Sequence, residues 1–371
     1  MNPVAGSGPE EDAKTAGGYR DLFDGTITET LNQALRIIRD DPTLLIAGTN
    51  LFRYQKKGAL LRRKNERKGL LVPPVMIVSV TSRCNLTCAG CYMRQRQNSA
   101  VPEMTPEVLR SVVFEAADLG VSVIVLAGGE PLMRRAEIVD LARSLPQILF
   151  PVFTNGLLIE EETAASLAAQ KNIVPVISIE GFRQETDCRR GPGVYDRLLS
   201  TCSILKSRRG FTGCSVTVTS STIDQVLDER FIEFLLDAGI RAFVFVEYVP
   251  IESGTRNLVL TPDQRKRLNT AIQLFSEKYP ALFIEFPGDE DVYGGCLAAG
   301  RGFVHVSPSG DLEPCPASPF SDANLATVSL KEGLRSNFLQ KIRENHSRLI
   351  ETDGGCALWT NQEWVKGLME K

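Results

Sequence analysis

A chain of 371 residues, 43% hydrophobic and 23% charged, is long enough for one large folded domain and a smaller one. Its formal net charge of -3 excludes partner binding driven by overall charge, so no nucleic-acid partner is expected. Nine cysteines without an export signal argue against a disulfide framework, and an odd number cannot fully pair within one chain.

Residues 1–18, MNPVAGSGPEEDAKTAGG, lack a basic start and an apolar middle and read as a disordered lead. No apolar run reaches the roughly 18 residues needed to cross a bilayer, and a cytoplasmic location is expected. Residues 19–73 read as an N-terminal helical extension, with ETLNQALRIIRD carrying apolar residues at helical spacing. Within it, RYQKKGALLRRKNERK (53–68) has eight basic residues against one acid. That run is either a solvated helix face or a membrane-surface contact beside Leu51, Phe52, Leu60 and Leu61.

Strands are predicted near 75–80, 122–127, 149–154, 173–179, 214–220 and 242–248, separated by helical stretches of roughly 10 to 16 residues. Runs such as VPVISI and AFVFVEYV are apolar on both faces, which suits parallel strands covered by helices. Six βα units with right-handed crossovers make an α/β barrel or partial barrel over 74–285. Thr105-Pro106-Glu107 starts one helix and Gly120 ends it, and Thr261-Pro262-Asp263 starts another. From 286 to 371 the pattern changes to Gly, Pro and Cys punctuation, and RGFVHVSPSGDLEPCP reads as a hairpin in a small C-terminal module.

The segment TSRCNLTCAGCYMRQ (81–95) places Cys84, Cys88 and Cys91 just after the first strand, at the barrel mouth where α/β barrels put their chemistry. Thiolates bind soft metals, and spacings of three and two residues let one loop wrap several sulfurs around one centre. Asn85 and Gly90 tolerate the left-handed backbone such a wrap needs. A zinc-stapled loop is the competing reading, but it ordinarily recruits a fourth ligand, which is missing locally.

With this spacing and position the chain resembles the radical S-adenosylmethionine (SAM) superfamily, whose Cys-x3-Cys-x2-Cys signature follows the first strand of a partial (β/α)6 TIM-type barrel. The resemblance implies a 4Fe-4S cluster on Cys84, Cys88 and Cys91 whose open iron is chelated by SAM. One electron then cleaves SAM to a 5'-deoxyadenosyl radical that abstracts hydrogen from a substrate. Gly128-Gly129-Glu130-Pro131, after the second strand, is similar to the family's segment for the SAM amino group. Ser178 and Glu180 in ISIEG, with Asp187 and Arg190 in RQETDCRRGPGVYD, match a further pattern. It implies Arg190 and Ser178 for the SAM carboxylate and Glu180 for the ribose, against the plainer readings of a surface ion pair and a strand-end cap. Gly90 departs from the signature, where many members carry an aromatic residue, and Tyr92 is the candidate adenine contact instead.

Cys202 sits on an apolar helical stripe and Cys214 in a strand, so both read as core thiols, while Cys188 is a loop thiol at the mouth. Cys296, Cys315 and Cys356 all fall in the C-terminal module, which resembles the twitch form of the SPASM extension and implies an auxiliary 4Fe-4S cluster. Trp359 stands where many such modules have a last cysteine, so an open iron or a non-cysteine ligand is implied; zinc or unliganded thiols are the alternative. No cobalamin domain, cysteine-rich upstream domain or ferredoxin-like insert is visible. The leading expectation is hydrogen abstraction from a small molecule, cofactor precursor or lipid, aided by the auxiliary cluster and fed by a flavodoxin- or ferredoxin-type electron donor. The alternatives are a peptide-modifying maturase and a non-catalytic metal-stapled binding protein.

Overall fold

Each predicted βα unit folds as a strand and its covering helix, and the strands assemble in chain order because short right-handed crossovers place each beside the last. The computed structural model describes residues 18–38, 42–96, 101–286, 293–350 and 356–369. The strands are β1 (Val75–Thr81), β2 (Val123–Gly128), β3 (Phe150–Thr154), β4 (Ile173–Ser178), β5 (Thr212–Val218), β6 (Ile240–Glu247), β7 (Leu282–Phe286), β8 (Phe303–Val306) and β9 (Leu312–Glu313). They form one mixed α/β sheet of nine strands ordered β7-β6-β5-β4-β3-β2-β1-β8-β9. Every pairing is parallel except the hairpin between β8 and β9.

The register fixes two faces. Met76, Val78, Ile124, Leu126, Phe150, Val152, Phe243 and Phe245 are fully buried on one of them. Ile77, Val125, Pro151, Phe153, Val244 and Val246 alternate with these on the other face and are half-buried, which makes it the open inner face. The sheet is not closed by strand pairing, but it curls far enough for Phe286 of β7 to meet Phe303 of β8 edge-on, their ring centroids 5.4 Å apart.

The six expected strands are all present, and β7 is an addition. LFIEF is short, carries Glu285 and lies at the sheet edge, so it lacks the apolar density of the inner strands. The expected hairpin forms between β8 and β9 with Ser307-Pro308-Ser309-Gly310 at its turn. It does not stand apart, because Val75 to Val78 of β1 pair with Phe303 to Val306 of β8. The sheet therefore runs across position 286.

Helix starts follow the sequence signals. Thr105 accepts from Val108 N at 3.3 Å and Gly120 closes the helix Pro106–Leu119 at φ 107°, while Thr261 and Gln264 cap Pro262–Lys278 reciprocally. Among the described residues two helices, Gly18–Ile38 and Pro42–Glu66, precede β1, and the expected lead lies outside the described residues apart from Gly18. The second packs under the sheet at the start of β2. Gln55 donates to Ser122 O (2.8 Å), Arg62 to Gly120 O (2.7 Å) and Asn65 to Leu119 O (2.9 Å). Arg62 thus leaves the basic run 53–68 for the interior; the other seven basic residues are exposed, and Leu60 stands among them 66% exposed. Among the described residues no helix is long and apolar enough to cross a membrane.

Candidate active site

The ends of β1 and β2 touch, and two glycines make that approach feasible. Gly129 N donates to Thr81 O (2.7 Å) and Glu130 N to Arg83 O (2.8 Å). A Cβ on Gly128, whose φ is 127°, would stand 2.3 Å from Thr81 O, and one on Gly129 2.1 Å from Arg83 O. The Gly-Gly pair therefore seats the loop that carries Cys84. Glu103, not singled out in the sequence, holds the same loop from the other side by accepting from Thr81 Oγ1 (2.9 Å), Ser82 N (2.8 Å) and Ser82 Oγ (2.7 Å).

Glu130 is fully buried, and its carboxylate joins β2 to the end of β3. It accepts from Leu132 N (3.0 Å), Thr154 Oγ1 (2.7 Å) and Asn155 N (2.8 Å). Burial pushes its carboxyl group up, against those three donors. Pro131 opens the turn Pro131–Arg134. Asn155, also unforeseen, donates to Asn85 Oδ1 (2.7 Å) and approaches Cys84 Sγ (3.7 Å), so the first residue after β3 reaches the cysteine loop.

Cys84, Cys88 and Cys91 are half-buried and free of disulfides. Leu86 N donates to Cys84 Sγ at 3.4 Å, a contact that suits a thiolate. Burial pushes the Cys88 thiol up, and the nearby Arg190 and Arg189 pull it down. The loop is clamped by Ala89 N to Arg189 O (2.9 Å), Arg189 Nε to Ala89 O (3.2 Å) and Gly90 N to Glu252 Oε2 (3.0 Å). Gly90 has φ 65°, and a Cβ there would lie 2.8 Å from the hydroxyl of Tyr248. The ring beside position 90 is thus supplied by the end of β6.

At the mouth of β4, Glu180 is buried between two arginines. Its carboxylate accepts from Arg189 (2.5 Å), from Arg190 Nε (2.9 Å) and from Thr217 N (3.1 Å). Burial opposes the charge of Arg189, and Glu180 outweighs it, holding the guanidinium above its usual range. Arg190 and Glu180 are therefore bonded to each other, while Ser178 accepts from Ser215 Oγ (3.0 Å) on the inner face. Asp187 accepts from Gly193 N (3.1 Å) and Tyr195 N (2.8 Å), so it caps the helix Val194–Ser207. Tyr92 turns toward Ser79 of β1 and lies in electrostatic reach of both Cys91 and Cys315; burial pushes its phenol up to about 12.

Cys296, Cys315 and Cys356 are all buried, and none is in a disulfide. A hydrogen bond with Cys356, then burial, pushes the Cys315 thiol well up, with Cys296 also in reach. Ala317 N donates to Cys315 Sγ (3.5 Å), and buried Arg301 binds the carbonyls of Gly295 (2.8 Å), Cys296 (2.8 Å) and Tyr293 (2.9 Å). Among the described residues no three His, Cys, Asp or Glu side chains gather tightly enough for a single metal ion. Cys202 and Cys214 are buried core thiols, and Cys188 is exposed.

Residues 78–237 match the model of the radical SAM superfamily. The chain is 32% identical over 312 residues to the mycofactocin maturase MftC of Mycolicibacterium smegmatis, covering 78% of this chain and 76% of that protein. It belongs to the radical SAM superfamily. This radical SAM protein is also 26% identical over 317 residues to an AdoMet-dependent heme synthase of Methanosarcina barkeri, covering 77% of this chain and 88% of the synthase. Its fold is that of Streptococcus suis SuiB bound to S-adenosylmethionine, with a TM-score of 0.62 at 18% identity, over 76% of this chain and 70% of SuiB. Membership makes it an enzyme that uses a 4Fe-4S cluster and SAM and requires a reductant.

Proposed function

We propose that this radical SAM enzyme abstracts hydrogen from a small-molecule, cofactor-precursor or lipid substrate and that 286–371 forms an auxiliary-cluster module built onto the barrel's own sheet. The second trio of buried thiols, none of them in a disulfide, on and around the strand pair next to β1, carries this reading. Cys84, Cys88 and Cys91 would hold the first cluster and Cys296, Cys315 and Cys356 the second; soft thiolates with N–H···S support at Cys84 and Cys315 suit both. When bound, the first cluster supplies the electron that splits SAM, and the second accepts one from the substrate or binds it.

The chain's own residues then position SAM. The backbone at Gly128 and Gly129 takes its amino group, with Glu130 as the buried strut that fixes that backbone. Two guanidiniums sharing the one carboxylate of Glu180 leave a net positive charge beside Cys88, suited to the SAM carboxylate with Ser178 assisting. Glu180 can also reach for the ribose, and Tyr92 together with Tyr248 offers rings near the loop. The peptide-modifying alternative is favoured by one neighbour of the same fold, SuiB, solved bound to the precursor peptide SuiA.

Anaerobic reconstitution with iron and sulfide should give about eight irons per chain, and reduction with SAM should release 5'-deoxyadenosine. About four irons would remove the auxiliary cluster, and no cleavage product would remove the enzymatic reading. Deuterium should enter 5'-deoxyadenosine from a deuterated small-metabolite pool; entry only from deuterated peptides would establish the alternative.

We also propose that the exposed basic stripe on Pro42–Glu66 and the residues after it touches anionic membrane, with Leu60 at its centre. It lies at the start of β2, opposite the cysteine loop, so the flavodoxin- or ferredoxin-type donor docks elsewhere, at the mouth. Reversing Lys56, Lys57, Arg63 and Lys64 to Glu should abolish sedimentation with phosphatidylglycerol vesicles; equal sedimentation of both proteins, or none of either, refutes the contact.

A further inference from the structure

A chain of buried polar contacts joins the two cysteine sites, and none of it belongs to either ligand set. It begins at Ser79 on the inner face of β1, whose Oγ is 2.8 Å from His305 Nε2 on β8. His305 Nδ1 is 2.7 Å from Glu313 Oε2 on β9, and the other oxygen of Glu313 pairs with Arg96. Arg96 in turn donates to Pro316 O at 2.9 Å. Ser79 and His305 are fully buried, and the Arg96 and Glu313 side chains are 10% and 4% exposed.

The placement of Arg96 gives the chain its meaning. It ends the short helix Tyr92–Arg96 that begins directly after Cys91. Its two partners, the Glu313 carboxylate and the Pro316 carbonyl, bracket Cys315 in sequence, so one guanidinium binds a side chain just before and the backbone just after a thiol from the second site. Tyr92, on the same helix, lies in electrostatic reach of both Cys91 and Cys315. A buried ion pair is a costly way to hold a turn unless its charges are used, since removing either partner leaves the other uncompensated in a poorly screened interior.

We propose that Arg96 is a positioning residue that couples the two cysteine sites, fixing the Cys315 turn and, with Glu313, balancing the charge beside the cluster bound there. This rests on the reading that Cys296, Cys315 and Cys356 hold a cluster. Charges and hydrogen bonds near cluster sulfurs set reduction potential. An uncompensated carboxylate beside the cluster disfavours the extra electron, and an uncompensated guanidinium favours it.

The test is a redox titration of the full-length, reconstituted protein followed by electron paramagnetic resonance, with and without SAM; SAM perturbs the first-site signal and so identifies the second. Arg96→Gln should lower the second-site potential, Glu313→Gln should raise it, and the double variant should return near wild type, because the charge imbalance is gone. Arg96→Lys should stay near wild type. Shifts of the same sign in both single variants, or none, at about eight irons per chain would overturn the proposal, since a purely structural brace has no reason to act with opposite signs. If Arg96→Gln sheds about four irons with its circular dichroism intact while Arg96→Lys keeps them, the positioning role is supported directly. If Arg96→Gln does not fold, Glu313→Gln decides alone, an unchanged potential counting against the coupling. About four irons in the wild type would remove the second-site reading itself, a result distinct from failure of the coupling.

Discussion

Gly129→Ala is expected to reduce SAM cleavage on the order of 100-fold, the scale at which misplacement by about 1 Å is felt in catalysis. The added Cβ would lie 2.1 Å from Arg83 O, 2.5 Å from Arg83 C and 2.7 Å from Ser82 O. All three are backbone atoms, so no flexible side chain can yield. Relief requires the loop before Cys84 to move off β2, which breaks the bonds from Gly129 N to Thr81 O (2.7 Å) and from Glu130 N to Arg83 O (2.8 Å). The rate of 5'-deoxyadenosine formation and the iron content of the reconstituted variant check this together. A wild-type rate would show that the loop finds another path and that the contact does not place the first cysteine.

Glu180→Ala is expected to destabilise the protein by about 3–5 kcal/mol, the range for removing one partner from a buried ion pair. The Glu180 side chain is 2% exposed, and its loss strands two guanidiniums and Thr217 N. Glu180→Gln should recover part of the loss, keeping an acceptor oxygen while surrendering the charge. Urea denaturation at constant slope measures both differences. Arg183 and Asp196 form the control, since both are more than half exposed and a solvent-screened pair of that kind contributes little. If Glu180→Ala costs no more than breaking that surface pair, the three-residue cluster is not holding the mouth of β4 together.

Much of the barrel could be read from the chain because its signals are local. Apolar runs of five to eight residues mark the inner strands, and threonine-proline starts with a glycine stop mark the helices. The cysteine triplet and Gly-Gly-Glu-Pro could be read for the same reason, their chemistry lying within a few consecutive residues. What escaped depends on contacts between distant segments. Asn155 reaches Asn85 across 70 positions, Gly90 meets Glu252 across 162, and Ser79 meets His305 across 226. No periodicity or spacing announces such a partner. Glu130 and Arg190 show the same limit from the other side, since their residue types fit a ligand while folding supplies each with protein partners first.

The placement of β8 bears on how this protein can be rebuilt. β1 has one neighbour from the barrel and the other from the C-terminal segment. Chimeras that exchange tails between relatives must therefore carry a strand equivalent to Phe303–Val306, or the first strand of the barrel is left with a bare edge whose amides and carbonyls invite pairing with another molecule. Modularity here stops at the level of the sheet, and the natural crossover point for recombination lies before Phe303, not after it.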